Sequence, residues 1–172
     1  MKKILTIWIA FLSVMAVSAM TREEVDAQVD SAYHAAMAGQ LEQAISINMD
    51  ALALVPMDSM GWKCEFYSCL FYCYHRLGDY TEALRYGELC LQYDEQHGTQ
   101  YDLSVSLGNL AGIYSSAGKQ DVAIEYLNRA IGIENALIAT DATHSQKSLA
   151  TRQAMLGEVL LAKSKSLPEV EQ

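Results

Sequence analysis

Apolar residues recur every three or four positions along most of the chain, the spacing that gives a helix one buried face. The pattern is clearest from Tyr101 to Leu137. Leu107, Leu110, Ala111 and Tyr114 share one face of a first helix, and Ala123, Leu127 and Ala130 share one face of a second. Ala117-Gly118-Lys119 makes the turn between them, and small residues (Gly108, Ala111, Gly112, Ala123, Ala130) stand where the two helices must approach closely. A hairpin of this size cannot bury both of its faces alone, so copies of it are expected to stack.

Two earlier copies follow the same grammar. Thr21-Arg22-Glu23-Glu24 has the form of a capping box and opens a helix from about Arg22 to Met37, ended by Gly39. A second helix is expected from about Leu41 to Leu54 and is closed by Pro56. The next hairpin begins near Ser59, stops at Gly78, restarts on the Asp79-x-x-Glu82 cap and ends near His97. Gly39, Gly78 and Gly118 are the registered stops, each followed five residues later by an alanine: Ala44, Ala83 and Ala123. The predicted hairpins thus cover about 22–56, 59–97 and 101–138. Thr143-x-x-Gln146 caps a last helix over about 145–162, with Leu149, Leu156, Val159 and Leu160 on one face, and 164–172 reads as a polar tail. Met155 and Leu161 fall off that inner face, which suggests either self-association through this helix or a shortened array.

These residues resemble the tetratricopeptide repeat, whose pattern runs W-x2-L-G-x2-Y, then A-x3-F, then P. Leu107, Leu110, Ala111, Tyr114, Ala123, Leu127 and Ala130 match it well. Tyr67, Leu70, Phe71, Tyr74, Ala83, Gly87 and Cys90 match in part, and the first copy matches mainly through Ala44, Ala51 and Pro56. The resemblance implies an all-α, right-handed α-solenoid of about three such repeats plus a C-terminal capping helix. Two departures stand out. Phe71 replaces the small residue at the closest helix crossing, so the second hairpin must splay or repack. The period is also longer than that of the family, as in kinesin light chain type repeats, which implies longer second helices or extended loops.

Composition adds a location. The chain opens with Lys2 and Lys3, an apolar run from Ile4 to Val17 and small residues up to Ala19, the layout of a cleavable signal peptide over 1–19. The apolar run is short for a membrane span, so the segment from 20 to 163 is expected to be exported as one repeat domain with no span after cleavage. The destination is the periplasm of a Gram-negative source, or the exterior. Removing 1–19 leaves 10 basic against 21 acidic side chains, a net charge near −11. With no basic stripe to hold phosphates, nucleic acid is excluded as a partner class. The acidity serves solubility, with attraction of cationic partners as the alternative.

Candidate chemistry is sparse. Cys64, Cys69, Cys73 and Cys90 lack the paired C-x2-C spacing of a zinc site; they read as core thiols, with one disulfide from Cys69 or Cys73 to Cys90, or a metal site, as the alternatives. His34, His75, His97 and His144 are scattered, and Asp30, Asp50, Asp94 and Asp102 lie on different segments. No nucleophile elbow, phosphate loop or metalloprotease motif occurs, so no catalytic residues, cofactor or metal are expected and the chain is read as a non-enzyme. In solenoids of the resembled family the first helix of each hairpin lines the concave wall. That register nominates Tyr33, Glu65, Tyr72, His75, Arg76, Asn109, Gly112, Ser116 and Glu158 as groove residues for a peptide or protein segment. The basic clamp that chaperone-binding members use for a terminal carboxylate is absent; only Asn109 occupies a clamp position. The preferred reading is therefore an exported interaction or scaffold module. The alternative is the sensor portion of a shortened or split bacterial signalling protein, of the histidine kinase or transcription regulator type.

Overall fold

The structure is a computed structural model that describes residues 19–140 and 146–166. Among these the chain is entirely helical: α1 (Arg22–Met37), α2 (Leu41–Leu52), α3 (Met60–Leu77), α4 (Tyr80–His97), α5 (Gln100–Ser116), α6 (Gln120–Thr140) and α7 (Gln146–Ser166). Consecutive helices pack as antiparallel neighbours, and α1 also packs on α3 and α5 on α7. The extra length of the repeat lies in its helices, which reach 18 residues in α4 and 21 in α6.

The punctuation follows backbone chemistry. Gly39, Gly78 and Gly118 all have φ between 76° and 79°, a left-handed conformation that a Cβ would strain. Thr21 and Glu24 form the reciprocal capping box, and Asp79 accepts the Glu82 amide. A second box, Thr99 with Asp102, opens α5 one residue before the expected start of that hairpin. At the other end α7 continues through Ser166, so Lys163–Ser166, expected to lie in or beside the tail, are helical. The Thr143 cap, the 1–18 part of the leader and residues 167–172 lie outside the described residues.

The core divides into three clusters. Leu107, Leu110, Ala111, Tyr114, Ala123, Leu127 and Ala130 join Leu91 and Val159, so α7 closes the third hairpin. Ala32, Ala35, Ala36 and Ala44 pack with Cys69 and Cys73 between the first and second hairpins. Val25, Ala51, Val55, Phe66 and Met20 form the third. Each fully buried large side chain, such as Leu70 or Leu127, contributes about 1.5–3 kcal/mol. Leu70, Ala83 and Cys90 are likewise buried, whereas Tyr74 is half-buried, stacked on Tyr86 at 5.7 Å, and Pro56 is half-buried in its loop. On α7 the faces differ from expectation. Met155 packs on the core, its Cε facing Gly112, while Leu160 is 48% exposed and points away. Gly108 has a reason its sequence did not give: the Arg152 guanidinium of α7 lies across it, in the space a Cβ would need.

Phe71 is accommodated by an exchange of bulk. In the third hairpin Ala111 on the first helix is matched by Leu127 on the second. In the second hairpin the large residue is Phe71 and its counterpart is Gly87. A Cβ at Gly87 would lie 2.9 Å from Phe71 Cδ2 and 2.8 Å from Leu110 Cδ2. The ring therefore fills the space that Gly87 vacates, and it sits between α3, α4 and α5. These first helices of the second and third hairpins are held apart, with a cavity between them.

Candidate functional site

That cavity, of about 480 Å³, is lined from four helices. Tyr33 comes from α1; Ser68, Phe71, Tyr72 and His75 from α3; Gly87 and Cys90 from α4; Val105, Ser106, Asn109 and Leu110 from α5. Four of the nine nominated groove residues, Tyr33, Tyr72, His75 and Asn109, thus meet around one space. Arg76 stands at its edge, donating to Tyr72 Oη at 3.1 Å and lying 5.7 Å from the Tyr72 ring centroid. Glu65 lies one compartment away, held by Arg22 at 2.6 and 3.1 Å. The remaining three are not brought in. Gly112 faces Met155, Ser116 donates to the Gly112 carbonyl at 2.9 Å, and Glu158 is exposed on α7.

Burial sets the electrostatics of this space. It pushes the Tyr33 phenol up to about 12, and it lowers the His75 imidazole, which is therefore neutral at pH 7. Burial also raises the Asp94 carboxyl, opposed by a 2.5 Å hydrogen bond from Ser106 Oγ and reinforced by the nearby Asp102. The walls offer aromatic faces, an amide and hydroxyls. Such a lining binds through shape and hydrogen bonding.

Several lining residues were missed from sequence. Ser68, Val105 and Ser106 fall off the assumed groove register, and only Phe71 carried a signal, as a large side chain where the repeat needs a small one. Asp94 and Asp102, on separate segments in sequence, share a second cavity of about 310 Å³ with Glu65, Cys64, Cys90, Tyr93 and His97. Among the described residues no three His, Cys, Asp or Glu side chains are placed to hold a metal ion. The cysteines follow the core-thiol reading and not the alternative disulfide. All four are buried free thiols. Cys69 and Cys73 are sequestered with the α1–α2 alanines, whereas the Cys90 thiol donates to the Cys64 carbonyl at 3.6 Å and lies 3.6 Å from Ser68 Oγ. Interaction between the neighbouring Cys64 and Cys90 thiols raises Cys64 and lowers Cys90.

The tetratricopeptide repeat model matches residues 65–136, the stretch from within α3 into α6 that builds most of this cavity. Residues 65–136 are tetratricopeptide repeats. The fold extends beyond the match. The crystal structure of PcrH from Pseudomonas aeruginosa superposes with a TM-score of 0.65 at 18% identity, covering 85% of this chain and 98% of that chain. At this identity the likeness concerns the fold alone. A comparison with curated proteins finds no match. The match over residues 65–136 supports a protein-interaction scaffold of the tetratricopeptide type. Among the described residues no helix is long and apolar enough to cross a membrane.

Proposed function

We propose that this chain is an exported, non-enzymatic binding module that holds a peptide or protein segment on the concave face of its tetratricopeptide array. The observation that carries the reading is the cavity between α3 and α5, where Tyr33, Tyr72, His75 and Asn109 converge with Phe71 and Leu110. It is large enough for a bulky side chain, has few fixed charges and opens between first helices of neighbouring repeats. Recognition by such a pocket uses an apolar anchor with a few hydrogen bonds to fix orientation.

The test is selection of peptides on the immobilised protein, followed by measurement of the selected sequences against variants. Tyr72→Ala and the mouth-closing Asn109→Trp are expected to weaken binding at least tenfold while leaving the helical circular dichroism spectrum intact. Unchanged affinity in both sinks the groove reading. Export rests on the leader-like residues 1–19 and is checked by intact mass of the cell-fractionated protein, which should begin at Met20 in the periplasmic or extracellular fraction. Self-association through α7 is supported by the exposed Leu160 and Leu161, at 48% and 56%. Sedimentation of the double variant Leu160→Glu/Leu161→Glu beside the parent checks it, and identical monomeric behaviour removes it.

A further inference from the structure

Ser68 and Cys90 line both the cavity between α3 and α5 and the second cavity, so the two adjoin as unlike compartments of one groove. The first is aromatic and aliphatic, with a neutral imidazole. The second is lined by Glu65, Asp94 and Asp102, and no lysine or arginine lines it. Glu65 is already bound by Arg22. Asp102 is turned to the Thr99 cap through Oδ2. Asp94 is half-buried with the Ser106 hydroxyl as its described hydrogen-bond partner, and neither Asp94 nor Asp102 takes part in any described ion pair. The opposite end of the first compartment carries Arg76 over Tyr72. The groove therefore runs from a cationic rim, through an apolar anchor site, to an acidic recess.

Distances along the helices translate this polarity into a ligand pattern. Leu110, in the anchor site, and Asp102, in the recess, are about two turns apart on α5, about 12 Å along the axis. In an extended peptide, side chains on one face recur every second residue, about 6.6 Å apart, so the fourth residue along lies about 13 Å away. We infer that the groove takes an extended peptide segment bearing a large apolar or aromatic side chain with a lysine or arginine four residues away. The apolar side chain enters between α3 and α5, and the cation meets Asp94 and Asp102. The inference rests on the groove reading above and adds to it the charge and spacing of the ligand. A cation entering the recess replaces no resident partner, so the desolvated Asp94 carboxylate gains a charge-assisted hydrogen bond it now lacks.

Fluorescence anisotropy tests this with protein purified after expression of the full 172-residue sequence. The probes are labelled peptides with a central Phe and, four residues to either side, Lys, Gln or Glu. One Lys peptide is expected to bind about tenfold tighter than its Gln counterpart, with Glu weaker still, as one charge-assisted hydrogen bond requires. The Lys preference should shrink with added salt and disappear in Asp94→Asn. Asp102→Asn, on the other helix, gives a second route to the same loss should Asp94→Asn fail to fold. Asn109→Trp should abolish binding of every peptide. Equal binding of Lys, Gln and Glu peptides, all lost in Asn109→Trp, overturns the charge assignment and leaves the groove reading standing. A Lys preference that survives both Asp variants overturns it too. Absence of binding by every peptide, or binding indifferent to Asn109→Trp, overturns both.

Discussion

Exchange of bulk between Phe71 and Gly87 predicts a strongly non-additive pair of substitutions. Phe71→Ala removes a half-buried ring. Full removal of a buried Phe costs about 3–5 kcal/mol, so roughly half, about 2 kcal/mol, is expected here. Gly87→Leu alone starts with a Cβ 2.8 Å from Leu110 Cδ2 and 2.9 Å from Phe71 Cδ2, well inside van der Waals contact. Overpacking of this kind costs about 1–3 kcal/mol, and leaving glycine in a helix interior returns about 1 kcal/mol. The singles therefore sum to about 3 kcal/mol of destabilisation. The double variant Phe71→Ala/Gly87→Leu recreates the Ala111 with Leu127 arrangement of the third hairpin, in which small faces large. It is expected to recover at least about 1 kcal/mol of that sum, a coupling beyond the scatter of independent sites. Urea unfolding followed by circular dichroism at 222 nm measures all four corners of the cycle. Additivity within about 0.5 kcal/mol would refute the exchange, and with it the account of why α3 and α5 stand apart. The reciprocal case is Ala111→Phe, which should destabilise the third hairpin by more than about 2 kcal/mol because Leu127 leaves no room.

Glycines that look alike in sequence should respond oppositely. Gly132→Ala, with open space around its Cβ, gains about 1 kcal/mol, whereas Gly108→Ala collides with Arg152 and loses about 1–3 kcal/mol; equal changes in melting temperature would count against the α5–α7 packing. Burial raises Asp94 in the folded state, so its protonation favours folding: that contribution is full below its ordinary value of 3.8 and is lost as pH rises through the folded value. Asp94→Asn should then melt higher than the parent at pH 7 and no higher below about pH 4; a lower melting temperature at pH 7 would reverse the sign. Thr99→Ala removes one half of a capping box and should cost about 1 kcal/mol in the same unfolding assay, with no loss meaning that α5 starts elsewhere. The four thiols should resist a thiol reagent until denaturant is added, and mild oxidation should yield Cys64 linked to Cys90 in peptide maps. A Cys69 or Cys73 link to Cys90 would contradict the packing of the second hairpin.

Helices, stops and repeat register were legible in the sequence because each depends on neighbours a few residues away. The 3.6-residue spacing of Leu107, Leu110, Ala111 and Tyr114 selects a buried face, Gly39, Gly78 and Gly118 supply left-handed stops, and Thr21 with Glu24 satisfies open amides locally. The repeat could be recognised for the same reason. What the sequence left open depends on residues far apart in the chain. Phe71 could be flagged as too large for its position, but Gly87 as the compensating gap emerged only when two helices were set against each other. Met155 and Leu160 traded faces because the rotation of α7 is set by packing on α5 and α6, which helical periodicity alone does not fix. Cys90 met Cys64, and Asp94 approached Asp102, across a hairpin and a helix boundary. The single-helix pattern determined an all-helical stack of hairpins, with tetratricopeptide repeats over residues 65–136. The splay of α3 from α5 decided where the stack opens, because a cavity is a property of surfaces that fail to meet, and no one segment carries it.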